Sequence, residues 1–298
     1  MRDSPRSLRS RFGMTNPRVV MALENEMAYP PFGCLTQATS SEINITNSTT
    51  KITMTYAGHP FFDPTQAAAF DELALKRDST FEFTYFDLQG FGAPIRTIFA
   101  INGAKVKNIV PADWAAEKPL TPFGVMPLLK ETSADGKSTI YLAESDAIDR
   151  YLAKKFGMAG DNVFEENVIN SYVSNTNSLQ LRIFTKHYTV RDPALKGAFV
   201  EEILGYIDIW IKSNERQLAA NGSNGHYVGN KLTIADVKAA YMVDLIRSFK
   251  EDAITEESTP ALLKVKTTID SIPSLVAWRA TEEHKAYSER NFSLFGYK

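Results

Sequence analysis

Cysteine is nearly absent from this sequence, which has one, Cys34, among 298 residues. A lone thiol cannot form an internal disulfide, and redox chemistry of the Cys-x-x-Cys type needs two. No group of Cys and His residues has the spacing of metal ligands, so no metal is expected. Any thiol chemistry would therefore use a thiol that a substrate brings to the protein.

Long apolar runs and an excess of one charge are also missing. No apolar run approaches the roughly 18 residues that span a bilayer, and 33 Lys+Arg against 35 Asp+Glu give a net charge of -2. We therefore expect neither a membrane protein nor a protein whose main ligand is nucleic acid. Because the N-terminus lacks the apolar core of a secretory signal, a cytoplasmic location is expected, with an Arg-rich mitochondrial presequence as the lesser alternative.

Residues 1–77 show no sustained helical or strand period, and the stretch 38–55 is rich in Ser, Thr and Asn. Such a composition favours a mostly disordered extension. One short helix is expected near 64–77, because Asp63-Pro64-Thr65-Gln66 offers an N-cap followed by Pro at the first helical position.

A small α/β unit is predicted over 78–157. The residue pattern gives the order βαβ-α-ββα, with a hairpin turn at Asp135-Gly136. The strands are expected at 81–86, 106–110, 127–129 and 138–142, and the main helices run from Pro94 to a stop at Gly103 and from Ser145 to Phe156.

Residues 161–298 show helical periodicity only, which predicts an all-helical second domain. One helix is expected to begin at Thr233-Ile234-Ala235-Asp236, where a hydroxyl at the N-cap and a carboxylate three residues later form a reciprocal cap. We assign Thr233 and Asp236 to the structure of this helix and not to a functional site.

Several runs in this order resemble one family. They are Phe-Thr-Tyr-Phe-Asp-Leu-Gln-Gly (83–90) continuing to Arg96, Ala-Asp-Trp (112–114), Pro-Phe-Gly-Val-Met-Pro (122–127), the run 142–160, and Leu-Thr-Ile-Ala-Asp (232–236). From about Thr80 to Arg290 the chain is similar to the cytosolic glutathione transferases of the sigma class, which include prostaglandin D synthase-like members. The resemblance implies a thioredoxin-like glutathione-binding domain, an all-helical domain, a homodimer, and glutathione as co-substrate with no permanently bound cofactor.

Tyr85 lies at the position of the family's catalytic tyrosine. A thiol with a pKa near 8.5 is only a few per cent ionised at neutral pH, and a hydroxyl that donates to the sulfur stabilises its thiolate. The alternative interpretation is a core aromatic, because strand alternation places Phe81, Phe83 and Tyr85 on one face.

The resemblance places the backbone of the tripeptide beside Val125, Met126 and Pro127. Met126-Pro127 matches the dipeptide that has a cis bond in thioredoxin-like folds, where the backbone before the proline binds an extended peptide. The alternative is an ordinary proline at the start of a strand.

The two charged ends of the tripeptide are assigned in the same way. Glu144 and Ser145 open a helix whose N-terminal N–H groups would bind the γ-glutamyl carboxylate, with Glu144 beside the ammonium and Ser145 also capping the helix. Trp114 and Lys118 match positions that bind the glycine end through an indole N–H and an ammonium.

Two positions depart from the sigma pattern. Phe91 lies where that class has an arginine near the tyrosine, and it is the one residue assigned here to the pocket for the electrophile. Asn177 or Ser178 lies where the class offers an aspartate from the second subunit to the glutathione amine. Both departures remove charge from the site.

The sequence therefore predicts an enzyme that adds the glutathione thiolate to hydrophobic electrophiles, as in detoxification. Two alternatives stay open. One is a non-catalytic binding protein, as with the S-crystallins, and the other is a glutathione-dependent isomerase or peroxidase that uses the same site. The identity of the electrophile and the purpose of residues 1–77 are not legible from the sequence.

Overall fold

The computed structural model describes residues 66–188, 190 and 192–295. The predicted disordered extension and the N-cap expected at Asp63 lie mainly outside these residues. Within the described part of the chain, none of the helices combines the length and the apolar character needed to cross a bilayer.

The first half of the described chain forms one mixed sheet with helices around it. The elements are α1 (Ala67–Ala74), β1 (Thr80–Thr84), α2 (Gly92–Ile101), β2 (Lys105–Ile109), α3 (Trp114–Glu117) with a 3₁₀ turn (Lys118–Leu120), β3 (Leu128–Thr132), β4 (Thr139–Ala143) and α4 (Ser145–Lys155). The strand order is β2-β1-β3-β4. Strand β1 pairs parallel with β2 and antiparallel with β3, and β3 pairs antiparallel with β4.

The second half is helical, as predicted. It comprises α5 (Val163–Ile183) continuing into a π-helical turn (Phe184–Tyr188), α6 (Pro193–Ala220), α7 (Ile234–Phe249), a 3₁₀ turn (Glu251–Ala253), α8 (Pro260–Asp270), α9 (Pro273–Arg279) and α10 (Glu282–Phe295). The thioredoxin-like order βαβ-α-ββα followed by a helical domain is thus confirmed. One apolar core runs from Phe81 and Phe83 of the sheet through α2 and α4 into α5 and α7.

Two predicted boundaries near Tyr85 were wrong by two residues each. Strand β1 ends at Thr84 and not at residue 86, because the chain turns after Tyr85, where the N–H of Leu88 bonds the carbonyl of Phe86 at 2.8 Å. Helix α2 begins at Gly92, two residues before Pro94. A proline fits there because N–H groups in the first turn of a helix have no partner within the helix.

The third strand is longer than predicted, for a reason that lies in the sheet. Strand β3 runs to Thr132 because it pairs with β1 over that strand's full length, from Thr84 opposite Leu128 to Thr80 opposite Thr132. Polar Lys130 and Glu131 obscured this in the sequence. They are kept in the strand by its pairing on both sides.

The reciprocal cap at the start of α7 is confirmed. The Asp236 carboxylate accepts the backbone N–H of Thr233 at 2.7 Å, and it also accepts the N–H of Tyr227 at 2.7 Å. Asp236 is fully buried, so these donors replace the water that the carboxylate loses. Its role is structural, as the sequence indicated.

Two buried ion pairs join elements that are far apart in the chain. Lys155 of α4 lies 2.7 Å from Glu131 of β3, and Lys238 of α7 lies 2.8 Å from Asp149 of α4. The second pair connects the α/β unit to the helical domain. All four side chains are buried, so the loss of one partner would leave an uncompensated charge in the interior.

Helix α1 completes the surroundings of Lys155. The ammonium donates to the carbonyl of Leu73, near the C-terminal end of α1, at 2.6 Å. It also donates to the carbonyl of Lys76, in the turn that follows the helix. Leu73 itself is fully buried. The helix is therefore packed on the α/β unit through the apolar Leu73 and through two carbonyls that accept from the buried ammonium.

We expect Lys155→Met to lower the free energy of unfolding by about 3–5 kcal/mol, because Glu131 would remain buried without its counter-ion. Urea unfolding measures this value. Lys130→Met, which breaks a partly exposed pair with Glu82, is the matched control and should cost under about 1 kcal/mol. Equal losses in the two variants would contradict the argument.

Candidate active site

Tyr85 is the first residue after β1, and its backbone N–H still bonds the carbonyl of Ile109 in β2 at 3.0 Å. Its ring is 4% exposed and stacks against Phe83, with the ring centroids 6.2 Å apart. The backbone N–H of Phe91 donates to the phenol oxygen at 3.0 Å. The hydroxyl thus receives one hydrogen bond from the loop before α2 and keeps its own proton for another acceptor.

Glycine is required in this loop, which reaches the phenol at close range. A Cβ on Gly90 would lie 2.7 Å from the Tyr85 oxygen, and a Cβ on Gly92 would lie 2.7 Å from its ring carbon Cδ1. The φ of Gly90 is +45°, in the left-handed region. Side chains at either position would push the loop off the tyrosine.

Arg96 of α2 is the site residue that the sequence analysis missed. Its guanidinium is buried, with Cζ 5.7 Å from the centre of the Tyr85 ring. It donates to the carbonyl of Leu88 at 2.5 Å and to that of Phe86 at 3.1 Å. The loss of a cation inferred from Phe91 is therefore offset by one a helical turn further on. The signal was available, because an arginine among the apolar residues of α2 needs acceptors.

Burial shifts the pKa of the Tyr85 hydroxyl in one direction, and its two polar neighbours shift it in the other. Removal from water raises the pKa of Tyr85 to about 12, while the Phe91 N–H and the Arg96 charge lower it. The phenol is consequently protonated throughout the physiological range. In this form the hydroxyl has a proton to donate.

Aromatic contacts connect Tyr85 to the residues predicted for the glycine end. The ring of Phe86 lies 5.6 Å from that of Tyr85 and 5.8 Å from that of Trp114, edge-on in both cases. Trp114 is half-buried at the start of α3, and Lys118 is exposed one turn later. Trp114 is thus brought to the site through Phe86.

The predicted cis bond at Met126-Pro127 is present. Pro127 is buried immediately before β3, Met126 is half-buried, and Val125 is exposed. The side chain of Lys118 lies beside Gly124, where an added Cβ would be 3.5 Å from its Cε. This contact brings Lys118 next to the loop that leads to Pro127.

The start of α4 differs in one respect from the prediction. Ser145 is the first helical residue and does not cap the helix, because the N-cap position belongs to Glu144, whose side chain makes no capping bond. Glu144 has a φ of 73°, unusual for a residue with a side chain. The N–H groups of the first turn therefore lack a side-chain cap.

Phe91 and the polar run of α5 lie where the two domains meet. The Phe91 ring is 5.0 Å from that of Phe184, at the C-terminal end of α5. Asn177 bonds Asp146 of its own chain, and the exposed Ser178 donates to the carbonyl of Ser174 at 2.9 Å. In this chain Asn177 is thus engaged with α4.

A cavity of about 310 Å³ lies behind the loop that follows Tyr85. Its walls come from α2, α7, α8, α9 and α10, and they include Gln89 of the loop but neither Tyr85 nor Phe91. Among the described residues, no group of three or more Asp, Glu, His or Cys side chains is arranged to bind a metal.

Comparisons with known proteins identify the family. Residues 182–282 match the family model "Glutathione S-transferase, C-terminal domain". Glutathione S-transferase 1 of Ascaris suum is 30% identical over 215 residues, which is 70% of this chain and 98% of that protein. Hematopoietic prostaglandin D synthase of Gallus gallus is 27% identical over 205 residues, or 66% of this chain and 94% of that protein.

A solved structure shows the same fold. The sigma class transferase of Fasciola hepatica superposes with a TM-score of 0.59 at 24% identity, over 68% of this chain and 95% of that one. The chain belongs to the glutathione S-transferase family and is a glutathione transferase. The resemblance drawn from the sequence runs is thereby confirmed.

We expect Arg96→Lys to destabilise the protein by about 1–3 kcal/mol and to lower kcat/KM with glutathione, because an ammonium cannot donate in parallel to the carbonyls of Phe86 and Leu88. Thermal unfolding and a conjugation assay measure the two effects. The exposed Arg216→Lys is the control. If Arg96→Lys behaved like Arg216→Lys in both assays, the paired donation of the guanidinium to the two carbonyls would be unimportant.

Proposed function

We propose that this transferase adds the thiolate of glutathione to hydrophobic electrophiles, with the Tyr85 hydroxyl donating a hydrogen bond to the sulfur. The observation that carries this is the buried Tyr85 oxygen, which accepts the Phe91 N–H and whose proton is therefore directed elsewhere. A thiolate placed before the hydroxyl would accept that proton's hydrogen bond. This lowers the pKa of the thiol and makes sulfur nucleophilic at neutral pH.

The chemical step needs little more from the protein. The thiol proton leaves to solvent when glutathione binds, and the sulfur lone pair then forms a bond to the electrophilic carbon. With an aryl halide, the electron pair of the broken carbon–halogen bond leaves as halide. Tyr85 stays protonated throughout, as a pKa of about 12 requires, and its hydrogen bond stabilises the anionic sulfur.

Two further groups of predicted residues would bind the γ-glutamyl end and the central unit of the tripeptide. The uncapped first turn of α4 would bind the γ-glutamyl carboxylate, with Glu144 beside the ammonium. Backbone groups of Val125 and Met126 would bind the central cysteinyl unit, next to the cis bond. The sheet register supports these assignments, because Thr84 lies opposite Leu128 and Leu128 lies opposite Ala143, so the residues adjoining them meet at one edge of the sheet.

The glycine carboxylate would be bound by Trp114 and Lys118 as donors. Support comes from two contacts: the Phe86 ring joins Trp114 to Tyr85, and Lys118 lies beside Gly124 near the cis bond. We propose Phe91 as one wall of the electrophile site, because its ring is half-buried against Phe184 where the domains meet. A homodimer and a cytoplasmic location complete the proposal.

A glutathione-dependent isomerase is the second candidate. The similarity to a prostaglandin D synthase favours it, because isomerisation would use the same activated sulfur. A binding protein without turnover is favoured by one feature, the engagement of Asn177 with Asp146 of its own chain. In that case Asn177 would not be offered to glutathione in a neighbouring subunit.

We expect Tyr85→Phe to lower kcat/KM with chlorodinitrobenzene by about tenfold to a hundredfold, the size expected for the loss of one hydrogen bond to a charged group. KM for glutathione should change little, because the tripeptide's other contacts remain. Tyr206→Phe, in α6, is the matched control. Retention of the wild-type protein on glutathione-agarose without turnover would instead favour the binding protein. If kcat/KM were the same in Tyr85→Phe and in the wild type, the tyrosine would have no part in the mechanism.

The pH profile follows from the same assignment. Because the thiolate is the reactive form, kcat/KM should rise with pH through the pKa of the bound thiol, at least about one unit below 8.5, and then level off. Tyr85, with a pKa of about 12, should cause no decline in the accessible range. In Tyr85→Phe the rising limb should move towards about 8.5. A profile that peaks and falls near neutrality would mean that another group titrates in the step.

A further inference from the structure

The loop from Phe86 to Phe91 presents the N–H group that Tyr85 accepts, and its backbone is held at several points. Arg96 donates to the carbonyls of Phe86 and Leu88. Gln180 of α5, which is fully buried, lies with its Nε2 3.5 Å from the carbonyl of Gly90. These contacts come from the α/β unit and from the first helix of the second domain.

A further contact comes from the other end of the chain. The carboxamide oxygen of Asn291, in the C-terminal helix α10, accepts the backbone N–H of Gln89 at 3.0 Å. Asn291 is 1% exposed and Gln89 is 8% exposed, so both are largely removed from bulk solvent, and both line the cavity behind the loop. The side chain of Gln89 also donates to Ser288 Oγ at 3.4 Å.

Helix α10 lies along the whole outer side of this loop. Arg290 pairs with Asp87 at 2.6 Å, and the Tyr287 ring lies 3.9 Å from Cζ of Arg96. Glu283 accepts the Asn108 amide at 2.9 Å, next to the strand that leads into the site. The guanidinium near Tyr85 is thus also packed against α10.

We propose that Asn291 is a positioning residue for the thiolate site, and that α10 is part of the catalytic apparatus because Asn291 fixes the loop that donates to Tyr85. This rests on the proposed role of Tyr85. Only Gly90 separates Gln89 from Phe91, so the N–H bound by Asn291 is two peptide units from the N–H bound by the phenol oxygen. The peptide planes are rigid, and Gly90 between them is held by Gln180 and lies close against Tyr85, so a displacement at Gln89 is passed on to Phe91.

The direction of the effect follows from the hydrogen bonds. When the Phe91 N–H donates well, the phenol oxygen is a poorer base and its own proton is a better donor to the sulfur. If the loop moves outward, the phenol donates less strongly and the thiol becomes less acidic. Loss of the Asn291 acceptor should therefore raise the pKa of bound glutathione.

Charged and titratable groups around the loop set the conditions of the test. Burial lowers the pKa of His284 to about 4, so its charge is constant above about pH 6. Burial also keeps Tyr287 protonated, with a pKa of about 12. The other charged groups around the loop are Asp87 within it, Arg96 of α2, and Glu283 and Arg290 of α10. Asp244 of α7, whose pKa is raised by burial, and Arg279 of α9 line the cavity that Gln89 and Asn291 also line.

The test measures the pKa of the thiol of bound glutathione by its thiolate ultraviolet absorbance, in the full-length protein. Asn291→Leu, which keeps the volume and removes the acceptor, should raise that pKa by about half a unit to one unit and lower kcat/KM by about threefold to tenfold near pH 6.5. At a pH above the thiol pKa the loss should largely vanish. Lys285→Ala, whose exposed ammonium pairs with Glu282 in the same helix, should match the wild type.

A double-mutant comparison separates this role from a structural one. In the Tyr85→Phe background, Asn291→Leu should cause no further rise in the thiol pKa, because the two residues act in series. An additive rise would overturn the proposal. If Tyr85→Phe raises the thiol pKa and Asn291→Leu does not, the positioning role fails and the proposed function survives. If Tyr85→Phe itself has no effect, the tyrosine mechanism fails first.

A second variant covers the case in which Asn291→Leu does not fold. Ser288→Ala combined with Arg290→Ala loosens α10 from the loop at its more exposed contacts and leaves the buried amide in place. It should raise the thiol pKa by a smaller amount. An unchanged pKa in this folded variant would count against α10 as part of the site.

Discussion

The hydrogen bond from the Phe91 N–H to the buried oxygen of Tyr85 is the contact on which the arrangement of the site depends. A phenol in an apolar interior needs a partner, and here the partner is a backbone group. To supply it, the chain leaves β1 early, turns through Gly90 and starts α2 at Gly92. The two glycines permit an approach that any side chain would block.

Support for this contact comes from a buried charge with several partners. Arg96 is removed from water, yet it has carbonyl acceptors and an aromatic face. The same design recurs in the pairs Lys155–Glu131 and Lys238–Asp149. Such pairs add little net stability, but each tolerates few geometries, so they specify how the elements are placed.

The fold and part of the candidate site could be predicted from the sequence, at positions where few residue types suit the local backbone. The Thr233–Asp236 cap and the change from mixed to helical periodicity are confirmed, and of the two interpretations of Pro127 the structure bears out the cis bond. The boundaries at Thr84 and Gly92 were missed because sheet pairing and the turn, and not composition, decide them.

Other features depend on how the chain turns or on residues that are distant in sequence. The apolar neighbours of Arg96 in α2 indicate that its guanidinium needs acceptors, but only the turn after Tyr85 identifies them as the carbonyls of Phe86 and Leu88. Asn291 lies 202 positions from the residue that it bonds. Ser145 gave a misleading signal, because serine is a good cap and yet the preceding Glu144 occupies the capping position.

The carbonyls that α1 gives to Lys155 have a consequence for how this enzyme is best produced and dissected. A laboratory that trimmed the gene to start at β1, where the α/β unit formally begins, would strip the ammonium of two of its oxygen neighbours and uncover the apolar surface under Leu73. The shortest soluble version of this transferase should accordingly begin ahead of Ala67, and fusion partners belong upstream of that helix.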